Sequence, residues 1–334
     1  MILSRRVVLT AMAAAGALAA AALAAPPASA QAYPDHPVKL IVPFGAGGNA
    51  DINGRIVGEI LQRALGQPVV VENKAGAGGG VGAEAVAKSA PDGYTLLVGS
   101  NGPLTVNPFV NANISYDSLK DFAPVALVSY VPHVLIVSNR LGAKSVADLL
   151  ALAKKRPINI ATSGVGSATH MTLERFKQAT GADIAHVPYK SGGSLLPDVI
   201  NGSVDGAMTE LSTAVEQHKA GTAFIVGVAG TGRSKLAPDI PTFDEQGVKG
   251  FVARSFIGVL APAGTPAQVL AKLQGAISAG LAPGTEMAAK LAATGSELAS
   301  AEQMTPAGFT AFIKSDYEDM RLAAKSAGLG GKAK

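Results

Sequence analysis

The sequence predicts a layered α/β fold with largely parallel sheets, and three observations carry this reading. Nine short apolar runs of strand length alternate with stretches of helical periodicity, the pattern of strands covered by helices on both faces. Several of these runs empty into loops of small residues just before a helical pattern begins, as in KLIVPFGAGGNAD, Lys39 to Asp51. About three hundred residues remain once an N-terminal leader is set aside, a length that usually divides into two lobes.

Residues 1–30 read as an export signal. SRRVV supplies the basic start, a long Ala/Leu run the apolar middle, and Ala28-Ser29-Ala30 the small residues before a cut. Export by the Sec route is expected, and Arg5-Arg6 after Ser4 also fits a twin-arginine signal. The first strand, KLIVPF, leads through the glycine loop into a helix. There Ile52, Ile56 and Ile60 recur with Val57, Leu61 and Leu65 at three-to-four spacing, and the pattern stops at Gly66. PVVVEN and YTLLVGS are strands on either side of the low-complexity stretch Ala75 to Ala83. HVLIVSN follows, then a helix, VADLLALAKK, capped by Ser145, then the strands INIATS, IAHVPY, VDGAMTE, AFIVGVA and FIGVLAP. Thr265-Pro266 opens AQVLAKLQGAIS, and Thr305-Pro306 opens a long last helix that runs to Ala327.

Composition excludes several classes of function. The chain has no cysteine, which rules out disulfides, thiolate metal sites, a cysteine nucleophile and a lipid anchor on an N-terminal Cys. Its 28 basic and 24 acidic residues give +4, which falls to +2 (26 against 24) once Arg5 and Arg6 leave with the signal. No dense basic run remains apart from the tail GGKAK, so nucleic-acid binding is not expected. His36, His133, His170, His186 and His218 show no metal-ligand spacing, and neither a metal nor a cofactor is expected.

The glycine loop has two readings. Gly45-x-Gly47-x-x-Ala50 follows a strand, precedes a helix and is followed by a strand carrying Glu72, which matches a dinucleotide fingerprint. The same backbone would hold any anion, because glycines permit close approach and the N–H groups of a helix start attract a carboxylate equally well. Export argues against a nicotinamide cofactor. A second motif, GVAGTGRS from Gly227 to Ser234, spells a phosphate loop with Arg233 where the lysine should stand, and an ordinary strand-to-turn connection accounts for it better. No G-x-S-x-G occurs, and Ser163, Ser167 and His170 in TSGVGSATH lie too close in sequence to be presumed a triad. An exported hydrolase with His170 as general base is the alternative function. Four strand ends share small polar groups, PFGAGGNAD, GSNGPLT, TSGVGSATH and PYKSGGS. In α/β sheets that edge is where ligands bind.

A family resemblance rests on the same residues. YPDHPVKLIVPFGAGGNAD, LGQPVVVENKAGAGGGVGAEAVAKSAPDGYTLLVGS, VPYKSGG, RSKLAPDIPTFDEQG and GVLAPAGTP occur in the order and spacing of the Bug family. The chain resembles these periplasmic receptors of tripartite tricarboxylate transporters from Tyr33 to Gly328. The resemblance implies a type II periplasmic binding protein fold: two lobes with mixed, mainly parallel sheets and a cleft between them. Lobe 1 would comprise 31–130 plus 254–334 and lobe 2 would comprise 131–253, with crossings near Val131 and near Ala253 to Phe256. It implies a receptor and not an enzyme, which captures a mono- or dicarboxylate, aliphatic or aromatic, and delivers it to integral membrane permease subunits. A monomer is expected. Carried residue by residue, the family's grip on a carboxylate implicates Phe44, Gly45, Gly47, Gly48, Asn49 and Asp51 of the first loop. Ser100, Ser163, Ser167, Thr169, His170 and Tyr189 follow from the other loops. Asp51 is expected to fix the loop or a bridging water rather than face an anion, since like charges repel. This chain departs from the family at Gly45, where many relatives have proline, at Thr209-Glu210, where an aspartate-asparagine pair is common, and at Phe256, where a tryptophan is common. Arg254 is the remaining candidate, expected near the hinge to pair with the far carboxylate of a dicarboxylate; a solvated surface arginine is the plainer alternative.

Overall fold

The computed structural model describes residues 33–329, so the expected export signal lies outside the described residues. The chain separates into two units, 1–35 and 36–334. Of the first only 33–35 are described, and they hold no helix or strand.

The second unit follows the alternation read from the sequence. Its first part runs β1 (Val38–Val42), α1 (Asn49–Leu65), β2 (Val69–Asn73), α2 (Gly80–Ala87), β3 (Thr95–Gly99), α3 (Asn107–Val110) and the long β4 (Phe122–Ser138). Next come α4 (Val146–Ala153), β5 (Ile158–Thr162), α5 (Ala168–Thr180), β6 (Ile184–Pro188), α6 (Gly192–Asn201), β7 (Gly206–Glu210), α7 (Leu211–Lys219) and β8 (Ala223–Val228). The chain ends with β9 (Arg254–Pro262), α8 (Ala267–Gly280), α9 (Glu286–Ala292), β10 (Glu297–Leu298) and α10 (Pro306–Ser326). Helix α1 shows why the sequence was readable: Ile56, Val57, Ile60 and Leu61 form its buried stripe, and Gly66 ends it in the left-handed conformation at φ 69°. Among the described residues, no helix is long and apolar enough to cross a membrane.

The strands form one sheet in the order β2-β1-β3-β9-β4-β7-β5-β6, and β8 and β10 also pair with β4. β1 lies parallel between β2 and β3, and β5 lies parallel between β6 and β7. The centre differs from expectation. β9 is antiparallel to β3 and β4, and β4 is antiparallel to β7, β8 and β10. Mainly parallel pairing therefore holds in the two outer groups and fails between them. Parallel neighbours need a crossover helix, whereas β4 and β9 run side by side in opposite directions as the chain passes from one group to the other. Residues Phe122 to Pro132 of β4 pair with β9, and His133 to Val137 pair with β7.

Sequence reading found only the second half of β4. Pro124 and Pro132 read as strand breakers, but the pairing accommodates Pro124 by shifting register between it and Ala126. The two-residue β10 offers no periodicity to find.

Helices on both faces bury the strands. Around β5, Ile158 and Ile160 join Leu149, Phe176, Phe243 and Phe251 in one core cluster, while Ile136, Leu195, Val199 and Leu211 belong to another. The rings of Phe176, Phe243 and Phe251 meet at centroid distances of 5.4, 5.9 and 5.4 Å, tilted or edge to face, arrangements that suit the aromatic quadrupole. In the β1 group, Leu40, Val42, Leu96 and Val98 are fully buried. The last helix seats Phe309 directly on β9, and a Cβ on Gly258 would come within 2.2 Å of that ring. Gly258→Ala is therefore expected to push α10 away from β9 and cost about 1–3 kcal/mol, read as a lower urea midpoint with an unchanged m-value.

Candidate ligand-binding site

The loops that leave β1, β3 and β5, the start of α6 and the end of β7 surround one small cavity beside β9. Phe44, Gly48, Asn49, Ser100, Ser163 and Ser167 line it, together with Glu210 and Ser255. Its walls nearly meet, leaving about 20 Å³ for the centres of water-sized atoms. Loops of the two outer strand groups touch beside it. The Gly45 N–H donates to the Lys190 carbonyl at 3.2 Å, and Ser191 Oγ donates to the Ala46 carbonyl at 3.4 Å.

Five helical starts face this region: that of the Gly102–Val106 turn before α3, which no side chain caps, and those of α1, α5, α6 and α7, which fall into two pairs. Ser167 Oγ accepts the His170 N–H at the start of α5, and Ser191 forms a reciprocal capping box with Ser194 at the start of α6. No side chain caps α1, whose N-cap is Gly48, or α7, whose N-cap is Glu210. Of these four, α1 and α7 keep backbone donors that no side chain satisfies and that could hold an anion.

The first loop is held from behind. Gly47 has φ 76°, a left-handed conformation that favours glycine, and its N–H donates to Asp51 Oδ2 at 2.9 Å. Arg55 Nε donates to the same oxygen at 3.0 Å, and Asn73 Nδ2 donates to Oδ1 at 2.9 Å. Burial would raise the pKa of Asp51, but Arg55, the Gly47 N–H and Asn73 outweigh it and hold the carboxyl below 3.8. Asn49 Oδ1 accepts from Asn53 Nδ2 at 2.8 Å and from Ser212 Oγ at 2.9 Å, tying α1 to α7.

The remaining candidates separate by position. Thr169 is fully buried behind the lining, where its Oγ1 accepts the Ser163 N–H at 3.1 Å and lies 3.0 Å from Ser167 Oγ. His170 stacks on His186 with centroids 4.2 Å apart, and burial lowers its pKa. Its Nδ1 accepts the Gly166 N–H at 3.4 Å, so this imidazole is engaged with backbone rather than with a serine hydroxyl. Tyr189 donates to Asp198 Oδ2 at 2.5 Å, and burial pushes its phenol up to about 12. Arg254 stands apart. Side chains alternate along β9, and Ser255 and Ile257 line the small cavity. Arg254 and Phe256 instead line a second cavity of about 410 Å³, with Arg175, Phe312 and Asp316. Its guanidinium lies 4.0 Å over the Tyr130 ring, a cation–π contact.

Of the lining residues that sequence reading passed over, two carry polar side chains. Ser255 carries no motif, and Glu210 stood out only as a departure from the family pattern. Ser255 Oγ donates to Glu210 Oε1 at 3.1 Å and lies 2.8 Å from His133 Nε2, while His133 Nδ1 lies 2.7 Å from Thr172 Oγ1. Burial pushes His133 down to about 3 and raises Glu210 above the usual carboxylate range.

This geometry, a small cavity walled by helix starts with no lysine or arginine in its lining, accompanies a family match. Residues 54–314 match the tripartite tricarboxylate transporter family receptor. The chain belongs to this receptor family. Protein BugT of Bordetella pertussis is 39% identical over 259 residues, which is 77% of this chain and 79% of that one. Among solved structures, the periplasmic binding protein BugD superposes with a TM-score of 0.86 at 32% identity, covering 90% of this chain and all (100%) of its own. A Rhodopseudomonas palustris protein solved with adipate gives 0.85 at 32% identity, covering 89% of this chain and 99% of its own. The solved neighbours are two-lobed periplasmic binding proteins, the fold class expected from the sequence. Membership in the tripartite tricarboxylate transporter receptors makes the chain a solute-binding receptor and gives the hydrolase alternative no support.

In this receptor, Asp51→Asn is expected to leave the Gly47 loop poorly held and to cost about 1–3 kcal/mol in chemical denaturation. Because the folded pKa of Asp51 is lowered, its contribution is present above its ordinary value of 3.8 and is lost as the pH falls through the lowered one. The variant's stability should accordingly fall less steeply with acid than the parent's below about pH 4.

Proposed function

We propose that the chain is a periplasmic receptor that captures a small organic carboxylate, mono- or dicarboxylate, and delivers it to integral membrane permease subunits. The observation that carries this reading is the convergence of the uncapped starts of α1 and α7 with the hydroxyls of Ser100, Ser163 and Ser167 on one cavity. Backbone N–H groups at helix starts bind carboxylates without a cation. The adipate held by a relative of the same fold supports the ligand class. An export signal at residues 1–30 supports the location.

Capture works by closure. Residues 31–130 plus 254–334 form one lobe and 131–253 the other, with β4 and β9 passing between them. The ligand's carboxylate enters between the Gly45–Asp51 loop and the Ser163–Ser167 loop, and closing removes water from around donors already in place. Asp51, Thr169, His170 and Tyr189 support the loops from behind, and the receptor acts as a monomer.

A thermal-shift screen over mono-, di- and tricarboxylates, aromatic ones included, tests the reading. At a concentration a hundred times its Kd, a ligand that binds only the folded state adds about 2.7 kcal/mol, enough to raise the melting temperature by several degrees. At least one carboxylate is expected to do so and NAD is not. A shift with NAD alone would overturn the proposal.

A further inference from the structure

Glu210 stands where β7 turns into α7, in the wall of the small cavity. It is 8% exposed, and its side chain meets two hydroxyls and its own backbone N–H. Ser255 Oγ donates to Oε1 at 3.1 Å and Thr209 Oγ1 to Oε2 at 3.3 Å.

The charged and titratable groups on the surrounding elements are engaged elsewhere. Asp51 on α1 is held by Arg55 and Asn73, His170 on α5 stacks on His186, and Arg175 on the same helix lies 5.3 Å over the Phe251 ring. Tyr189 after β6 holds Asp198 of α6, and Lys190 beside it is exposed. On α7 itself Glu216 pairs with Lys219 and His218 with Asp239. Arg254 lies over Tyr130 on the far face of β9, and Asp316 of α10 accepts from Asn101 and Thr105. His133 on β4, opposite Glu210 in the register, is the nearest base in the hydrogen-bond chain and is neutral through burial.

An ionised Glu210 would therefore face an incoming carboxylate with no cation between them. Two carboxylates that share a water-poor site do not both stay ionised. Burial favours the neutral form of Glu210, while the starts of α1 and α7 favour one negative charge in the cavity. Both preferences are met when the ligand carries the charge and Glu210 the proton. The hydrogens can be placed consistently. Ser255 gives its hydroxyl hydrogen to Oε1 and accepts from His133 Nε2, Thr172 donates to Nδ1, and Oε2 is left to carry the acid proton.

We propose that Glu210 acts as a neutral carboxylic acid that donates a hydrogen bond to the captured carboxylate, so that the receptor takes up its ligand together with a proton and binds it more weakly as the pH rises. This role rests on carboxylate capture and names the residue that distinguishes a carboxylate from an amino acid. An ionised Glu210 would instead pair with an ammonium.

The test compares the parent with Glu210→Gln by titration calorimetry from about pH 5 to about pH 9, using adipate, succinate, malate and aspartate as probes. Infrared spectra of both proteins with adipate are recorded on an Asp316→Asn background, which sets aside the other carboxyl that burial pushes towards its neutral form. The expected result is a protonated-carboxyl band in the parent complex that Glu210→Gln lacks. Affinity for the bound dicarboxylate should fall in the parent by up to about tenfold per pH unit. In Glu210→Gln that slope should vanish, and binding at high pH should become tighter than in the parent. A parent complex without the band overturns the role, and this reading needs no Glu210 variant to fold. So does aspartate binding more tightly than succinate with the advantage lost in Glu210→Gln. If acids bind but the slope survives in Glu210→Gln, Glu210 fails alone; if no acid binds, carboxylate capture fails with it.

Discussion

Holding an anion with neutral donors places a demand on rigidity that a lysine or arginine would relax. A flexible cation can follow its partner, but a backbone N–H is effective only where the chain already points it. In the mode of capture proposed for this receptor the demand converges on Asp51. Its carboxylate joins the Gly47 N–H, the Arg55 guanidinium and the Asn73 amide, so the first loop is shaped by a residue that does not line the cavity. The interaction is strong because burial is offset by three donors at once, one of them charged. Asn49, bonded to both Asn53 and Ser212, carries the same rigidity from α1 across to α7.

The second constraint is the pair of central strands. β4 serves both outer groups of the sheet, pairing with β9 along its first half and with β7 along its second. The side-chain period of two along β9 then gives its faces different tasks, with Ser255 on the side of the small cavity and Arg254 on the side of the larger one. The polar chain from Glu210 through Ser255 and His133 to Thr172 spans β7, β9, β4 and α5 at this place. A buried chain of this kind is stabilising only while every member stays bonded, so it pins the register where the two groups meet.

Much of this was legible in the residues. The helix of Ile56 and Ile60, the strand ends rich in glycine and serine, and the loop around Gly47 are local patterns, and local patterns survive in a single sequence. The first half of β4 was hidden because Pro124 and Pro132 speak against a strand, and only pairing with β9 overrides them. Ser255 and Glu210 were hidden for a different reason: they reach the cavity from strands distant in sequence, and neither sits in a recognisable spacing. Arg254 illustrates the limit of placing a side chain by neighbourhood, since one step along a strand reverses the face it occupies. Thr169, His170 and Tyr189 were found as members of the right loops, yet sequence gives no means of separating a wall from its buttress.

The self-capped starts of α5 and α6 bear on the idle receptor. A helix start stripped of partners away from water is costly, and four of them emptied together would favour a chain that gapes or frays between captures. Ser167 and Ser191 spare half of that cost with their own hydroxyls, leaving α1 and α7, of these four, in need of a visitor. Waiting is thus built into the sequence: the receptor can stay folded and poised in an ocean of solvent, with its unmet appetite confined to two turns of backbone.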